Sequence, residues 1–220
     1  MDDARAQRLL ATIGSELGDR VIMWRGAELT GSDVDLLVLG GARGALESVL
    51  ARDGLTAGPD GHWADPVGDL MIDLLDESDW PAAYPSAAGM TERAQAAGGT
   101  PPVAAPEDRV LIFAAEAVAG RPLAKLLPKL RSLAGGGELA ERALAVGRRE
   151  RAASLARLGL DPDRIAGATV RGALSYRLAL GAGLGSRRGR AALRTRLAAT
   201  AARRLRALRG SDRRSRPPTA

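Results

Sequence analysis

The order of hydrophobic and polar positions divides the chain into two halves of different character. In the first half, apolar residues recur at helical spacing over residues 3–17 and 42–52. Other apolar stretches are short and of strand length, with turn residues between them. The predicted strands cover residues 21–24, 33–40 and 69–76, and a hairpin covers residues 55–64. The resulting order of helix, strand, strand, helix, hairpin and strand predicts a small mixed-sheet α/β domain over residues 1–105.

The second half carries helical spacing only. A Pro- and Gly-rich connection comes first, with a predicted helical turn near residues 90–96 and a predicted extended segment at residues 100–103. Pro106-Glu107-Asp108 then predicts the start of a helix. Further helices are predicted over residues 122–134, 138–157, 168–182 and 188–209. The fold class is therefore α/β, with an all-helical domain over residues 106–210 and a disordered tail at residues 211–220.

Two aspartates interrupt the second predicted strand, "DVDLLVLG". Residues i and i+2 of a strand point to the same side, so Asp33 and Asp35 project together. Two carboxylates in an apolar strand repel each other, and a divalent cation such as magnesium relieves that repulsion. Asp73, in "LMIDLLD", is a third acid in the same kind of context. If the two strands pair, the three carboxylates meet, which is the geometry of metal-dependent phosphoryl transfer.

These segments resemble the nucleotidyltransferase superfamily related to DNA polymerase beta. "WRGAELTGSDVDLLV", residues 24–38, followed by "LMIDLLD", is similar to the active-site core of that family. Residues 90–120 are similar to a group of bacterial nucleotidyltransferase-like proteins, and the likeness covers about residues 20–130. The resemblance implies a nucleotidyltransferase-like first domain and transfer of a nucleoside monophosphate from a nucleoside triphosphate to an acceptor that the sequence does not identify.

The resemblance also implies roles for individual residues. Asp33 and Asp35 match the paired ligands of two magnesium ions that hold the triphosphate, for which ATP is the expected compound. Asp73 matches the acid that completes the metal activating the acceptor hydroxyl. Without the metal, a structural interpretation stays open: Asp33 caps the strand start, and Asp35 pairs with an arginine.

Three neighbours of the aspartates are further candidates for the nucleotide site. Arg25 is a candidate triphosphate clamp or a strand-end residue. Gly26 permits a tight turn or a close approach of phosphate, and Ser32 is a turn hydroxyl or a phosphate ligand. The glycine turn reads Arg25-Gly26-Ala27, whereas the family usually has Gly-Ser or Gly-Gly. This departure favours an alternative function, a nucleotidyltransferase-like binding or regulatory module without turnover, such as an antitoxin-like partner.

Composition limits the kinds of metal site, the cellular location and the partners that the chain is expected to have. The 220 residues include no cysteine, which excludes disulfides and thiolate metal sites and favours a cytoplasmic location. The net charge of +6 is unevenly spread, because residues 187–216 hold twelve arginines and one acid. The predicted basic helix over residues 187–209 is a candidate for weak contact with RNA or an anionic membrane, or else is a terminal helix with a solvated basic face.

Overall fold

A computed structural model describes residues 3–25, 33–58, 62–67, 70–133 and 136–170, together with Arg194. The chain divides into two compact units, unit 1 comprising Met1–Arg109 and unit 2 comprising Val110–Ala220. The fold is α/β, with a seven-stranded mixed sheet in unit 1. Three predicted features lie outside the described part of the chain: the helix over residues 168–182 except for its first three residues, the helix over residues 188–209 except for Arg194, and the tail at residues 211–220.

The sheet has the strand order β3-β4-β5-β2-β1-β7-β6. Its strands are β1 (Val21–Arg25), β2 (Asp33–Val38), β3 (Thr56–Ala57), β4 (His62–Ala64), β5 (Met71–Asp76), β6 (Gln95–Ala97) and β7 (Thr100–Val103). β2 pairs with β1 in the antiparallel sense and with β5 in the parallel sense, so β2 and β5 lie side by side at the centre. The predicted strands and the hairpin of β3 and β4 are confirmed.

Two helices cover one face of the sheet. They are α1 (Asp3–Leu17) and α2 (Arg43–Arg52), as the helical spacing of their apolar residues predicts. Their buried leucines, with Ile13 and Val49, pack on alternate strand residues such as Val34, Leu36 and Ile72. Because strand side chains alternate between faces, the residues between these positions point to the opposite face.

The connection from β5 to the helix α4 (Pro106–Ala119) is more regular than the sequence predicts. Its helix, α3, runs over Ala87–Arg93 with Ser86 as its N-cap, and β6 follows at once where a helical turn was expected to continue. β6 pairs with β7 as an edge hairpin of the sheet. Arg93 at the end of α3 forms a bidentate ion pair with Asp108, whose side chain is fully buried, and this contact fixes the start of α4.

Unit 2 is helical throughout its described residues. Its helices are α4 (Pro106–Ala119, which starts in unit 1), α5 (Leu123–Leu133), α6 (Gly137–Arg149), α7 (Ala153–Gly159) and α8 (Pro162–Val170). The prediction of one helix over residues 138–157 is wrong, because the chain turns at Arg151, which has a φ of 54°. α6 then packs closely against α7, where a Cβ on Gly147 would lie 2.7 Å from the Cβ of Ala156. In the described ranges, none of the helices combines the length and apolarity needed to cross a membrane.

Candidate active site

The three predicted aspartates lie on two adjacent central strands. β2 and β5 are parallel and in register, with Asp35 directly beside Asp73 and Asp33 beside Met71. Neighbouring strands are about 4.8 Å apart, and residues at i and i+2 of one strand share a face. Asp33, Asp35 and Asp73 therefore share the sheet face that α1 and α2 leave uncovered. From the sequence, this arrangement is expected only if the two strands pair, and they do pair.

Burial differs between the three carboxylates. Asp33 and Asp73 are exposed, whereas Asp35 is only 9 % exposed and lies between Asp73 on β5 and the neighbouring strand β1. Asp35 is thus the member whose charge is most in need of a partner, since a buried carboxylate is costly without one. The two exposed acids leave the site open to solvent and to a charged ligand.

Arg25 supplies that partner. It lies opposite Asp35 across the β1–β2 pair, beside an irregularity in the register between Met23 and Arg25. The Nε atom of Arg25 is 3.4 Å from Oδ2 of Asp35, and each side chain is 12 % exposed. The structural interpretation of Asp35, pairing with an arginine, is therefore present in the fold, and it places the predicted triphosphate clamp against a predicted metal ligand.

An aromatic cluster borders this ion pair. The guanidinium of Arg25 lies 4.1 Å from the centre of the Trp24 ring, which favours its positive charge. Trp24 in turn meets Trp80 edge-on at 5.4 Å and Tyr84 at 5.7 Å between ring centres. Trp24 and Tyr84 are buried, so the ring that Arg25 contacts is fixed by packing against its neighbours. The sequence does not predict this contact, because Trp80 and Tyr84 belong to the connection after β5.

The only histidine of the chain also reaches this face. His62, the first residue of β4, lies directly opposite Asp73 in the antiparallel β4–β5 pair, so the two side chains share a face. Its ring packs over Gly58, where a Cβ would lie 2.9 Å from Nε2. Sequence analysis gave His62 no role. A row of His62, Asp73, Asp35 and Arg25 thus crosses four neighbouring strands, and only the strand order reveals it.

The three aspartates have the ligand chemistry that suits magnesium, but their carboxylates are not grouped closely enough to hold a metal ion as they stand. Carboxylate oxygens are the ligands that magnesium prefers. Among the residues that the structure describes, however, no three His, Asp or Glu side chains are already grouped closely enough to hold a metal ion. The ion pair of Asp35 with Arg25 accounts for part of this, since one carboxylate oxygen faces a guanidinium. A metal ion bound to Asp35 would compete with Arg25 for this carboxylate.

Two candidate nucleotide ligands, Gly26 and Ser32, lie between β1 and β2 in the sequence. Both are outside the described residues, so their predicted roles remain predictions.

A separate cavity lies at the carboxyl ends of β2 and β5. It encloses about 430 Å³ and is lined by Val38, Gly40, Gly41, Asp76, Glu77 and Ser78. At its edge, Arg43 at the start of α2 binds Asp76 at 2.9 Å and Glu47 at 2.8 Å. Burial lowers the pKa of Arg43, but Glu47 and Asp76 outweigh that effect and raise it above its ordinary value, so the guanidinium stays charged. The cavity includes none of the predicted site residues.

Comparison with known proteins identifies no relative for this arrangement. No protein family, no curated protein and no solved structure matches the chain.

Proposed function

We propose that the chain is a magnesium-dependent nucleotidyltransferase, with unit 1 as a nucleotidyltransferase-like domain and ATP as the expected donor. An acceptor hydroxyl or phosphate oxygen would bond to the α-phosphorus while the bond to the β-phosphate oxygen breaks. A nucleoside monophosphate is transferred and pyrophosphate leaves. The observation that carries this proposal is the in-register pairing of Asp35 with Asp73, because it puts Asp33, Asp35 and Asp73 on the same face of the sheet.

The aspartates would each have a distinct part. Asp33 and Asp35 would hold the magnesium that binds the triphosphate, and Asp73 would complete the ligands of the magnesium that activates the acceptor hydroxyl. Magnesium, when bound, supplies charge neutralisation at the transferring phosphoryl group. Catalysis by these residues consists of positioning and electrostatics rather than covalent chemistry.

Arg25 supports the proposal as an exchangeable partner. In the absence of ligand it neutralises Asp35. A metal ion at Asp35 would release the guanidinium, which is then within a side chain's length of the triphosphate and matches its oxygens well. The same side chain would thus stabilise the empty site and bind the substrate.

Thermal unfolding tests the proposal. With magnesium and ATP together at about 100 times the dissociation constant, binding should stabilise the wild type by roughly 2.7 kcal/mol and raise Tm by roughly 5–10 °C. Asp35→Asn should lose this gain, because it removes the shared ligand. Equal stabilisation of both proteins would exclude the site. ATP without magnesium serves as the control for binding elsewhere.

A second candidate function is a nucleotidyltransferase-like binding module without turnover. The Arg25–Asp35 ion pair favours it, because the guanidinium competes with a metal ion for this carboxylate. Release of pyrophosphate during incubation with magnesium, ATP and a panel of acceptors separates the two functions. The transferase releases pyrophosphate and loses that activity in Asp73→Asn, whereas the binding module gains stability from the nucleotide without releasing pyrophosphate.

A further inference from the structure

His62 and Asp73 form a side-by-side pair on two neighbouring strands. They lie directly opposite each other in the antiparallel β4–β5 pair, so their side chains extend from the same face of the sheet. The Cβ atoms of such cross-strand partners are about 4.5–5.5 Å apart. The register of β5 with β2 puts this pair on the face that carries Asp33 and Asp35. An imidazole therefore stands at the end of the row of carboxylates.

Both members of this pair are available to a ligand. Within the described part of the chain, the imidazole of His62 and the carboxylate of Asp73 take part in no hydrogen bond and no ion pair. Asp35, by contrast, is paired with Arg25. The side chain of Asp73 is exposed and that of His62 is half-buried, so an ion from solution can reach both.

Gly58 shapes the setting of the imidazole ring. A Cβ on Gly58 would lie 2.9 Å from Nε2, 3.2 Å from Cδ2 and 3.4 Å from Cε1 of His62. Because these three adjacent ring atoms are at similar distances, the flat face of the ring covers the glycine, and its edge does not point at it. The lone pair by which an imidazole nitrogen binds a metal lies in the ring plane. The packing on Gly58 therefore leaves Nε2 open as a ligand.

The chemistry of this pair differs from that of the three aspartates alone. Magnesium prefers oxygen ligands, whereas an imidazole nitrogen suits zinc and other divalent ions of the first transition row. Zinc binds histidine nitrogen and carboxylate oxygen at about 2.0–2.2 Å. Two side chains whose Cβ atoms are about 5 Å apart can therefore both reach one such ion.

We propose that His62 and Asp73 bind a divalent transition-metal ion, with water at its remaining positions. The strand order β4-β5-β2 puts His62 on one side of Asp73 and Asp35 on the other. Since a carboxylate has two oxygens, Asp73 can bind this ion on one side and the proposed magnesium on the other. The site shares Asp73 with the proposed function, but it requires neither a nucleotide nor turnover.

Calorimetric titration of the full chain with zinc chloride, without nucleotide, tests the proposal. The wild type should bind zinc at least roughly tenfold more tightly than magnesium chloride measured in the same way. His62→Gln should weaken zinc binding at least roughly tenfold, because one of two protein ligands is lost. Asp76→Asn is the matched control: it removes a carboxylate from the opposite face of β5 and should keep the wild-type affinity for zinc.

A second measurement separates this site from the nucleotide site. His62→Gln should still be stabilised by magnesium and ATP as the wild type is, since it keeps all three aspartates. Should magnesium and ATP stabilise neither protein, the transferase proposal fails, while zinc binding that depends on His62 would still support the metal site. Circular dichroism melting establishes that each variant is folded.

Two results would overturn the proposal of this metal site. One is a wild type that binds no zinc. The other is equal affinity for zinc in the wild type and in His62→Gln, which would assign the binding to other residues.

Discussion

At the scale of single residues, Asp35 is the point at which two interactions compete. It is the most buried of the three aspartates and has Arg25 on one side and Asp73 on the other. The guanidinium offsets the cost of burying its charge, whereas a divalent cation would offset the repulsion between it and Asp73 as well. The ion pair is therefore the arrangement expected without a metal, and the metal site is the arrangement expected with one.

Replacement of Arg25 separates these two interactions. Arg25→Met should lower the free energy of unfolding by about 1–3 kcal/mol, because Asp35 is left buried without its cation. Magnesium should then recover more stability in this variant than in the wild type, since it no longer competes with the guanidinium. Urea unfolding with and without magnesium measures both effects.

The control for this experiment is Arg157→Met, which changes an exposed arginine of α7 and should behave as the wild type does. If Arg25→Met loses stability and gains nothing from magnesium, Asp35 is an ion-pair residue and not a metal ligand.

Part of this site follows from the sequence and part does not. The common face of Asp33 and Asp35 follows from the two-residue period of a strand. The position of Asp73 beside Asp35 depends on which strands are neighbours and on their register, and these are set by packing across the whole sheet. The contact between Arg25 and Asp35 depends on the register at the irregular end of β1, which no local pattern specifies. The position of His62 beside Asp73 depends on the strand order in the same way.

At the scale of secondary-structure elements, α1 packs closely on β7 in unit 1. A Cβ on Gly14 would lie 2.6 Å from the carbonyl carbon of Thr100, so the helix rests directly on the strand backbone. Gly14→Ala should therefore destabilise the protein by about 1–3 kcal/mol, although alanine is the better helix former. Chemical unfolding measures the change.

Gly44 provides the matched control. It lies in α2, and a Cβ there has no atom within 4 Å. Gly44→Ala should stabilise the protein by about 0.5–1 kcal/mol through helix propensity alone. If both substitutions are stabilising, α1 and β7 are not in the close contact described.

Element boundaries show where local patterns are insufficient. α1 and α2 begin and end within one residue of their predicted bounds, because apolar spacing and turn residues agree there. Residues 138–157 read as one helix because no proline or glycine marks residues 150–152, yet α6 ends at Arg149 and α7 begins at Ala153. The break depends on the packing of α7 on Gly147, which is a tertiary effect.

At the scale of the whole molecule, the sequence predicts the fold class and the charge distribution but not the strand order. Alternating helix and strand patterns followed by helical patterns alone are enough to predict an α/β unit before a helical one. The order of the seven strands places β5 beside β2, and this adjacency brings the acids together. The excess of acids in unit 1 and of cations in unit 2 is readable from composition.

Calorimetric titration with magnesium and a non-hydrolysable ATP analogue tests the shared site of the three aspartates without requiring an acceptor. We expect the wild type to bind, and Asp73→Asn to bind at least roughly tenfold more weakly, because one ligand of the metal is lost. Asp76→Asn, on the same strand but the opposite face, should bind as the wild type does. Equal affinity of Asp73→Asn and the wild type, or no binding by the wild type, would contradict the proposed site.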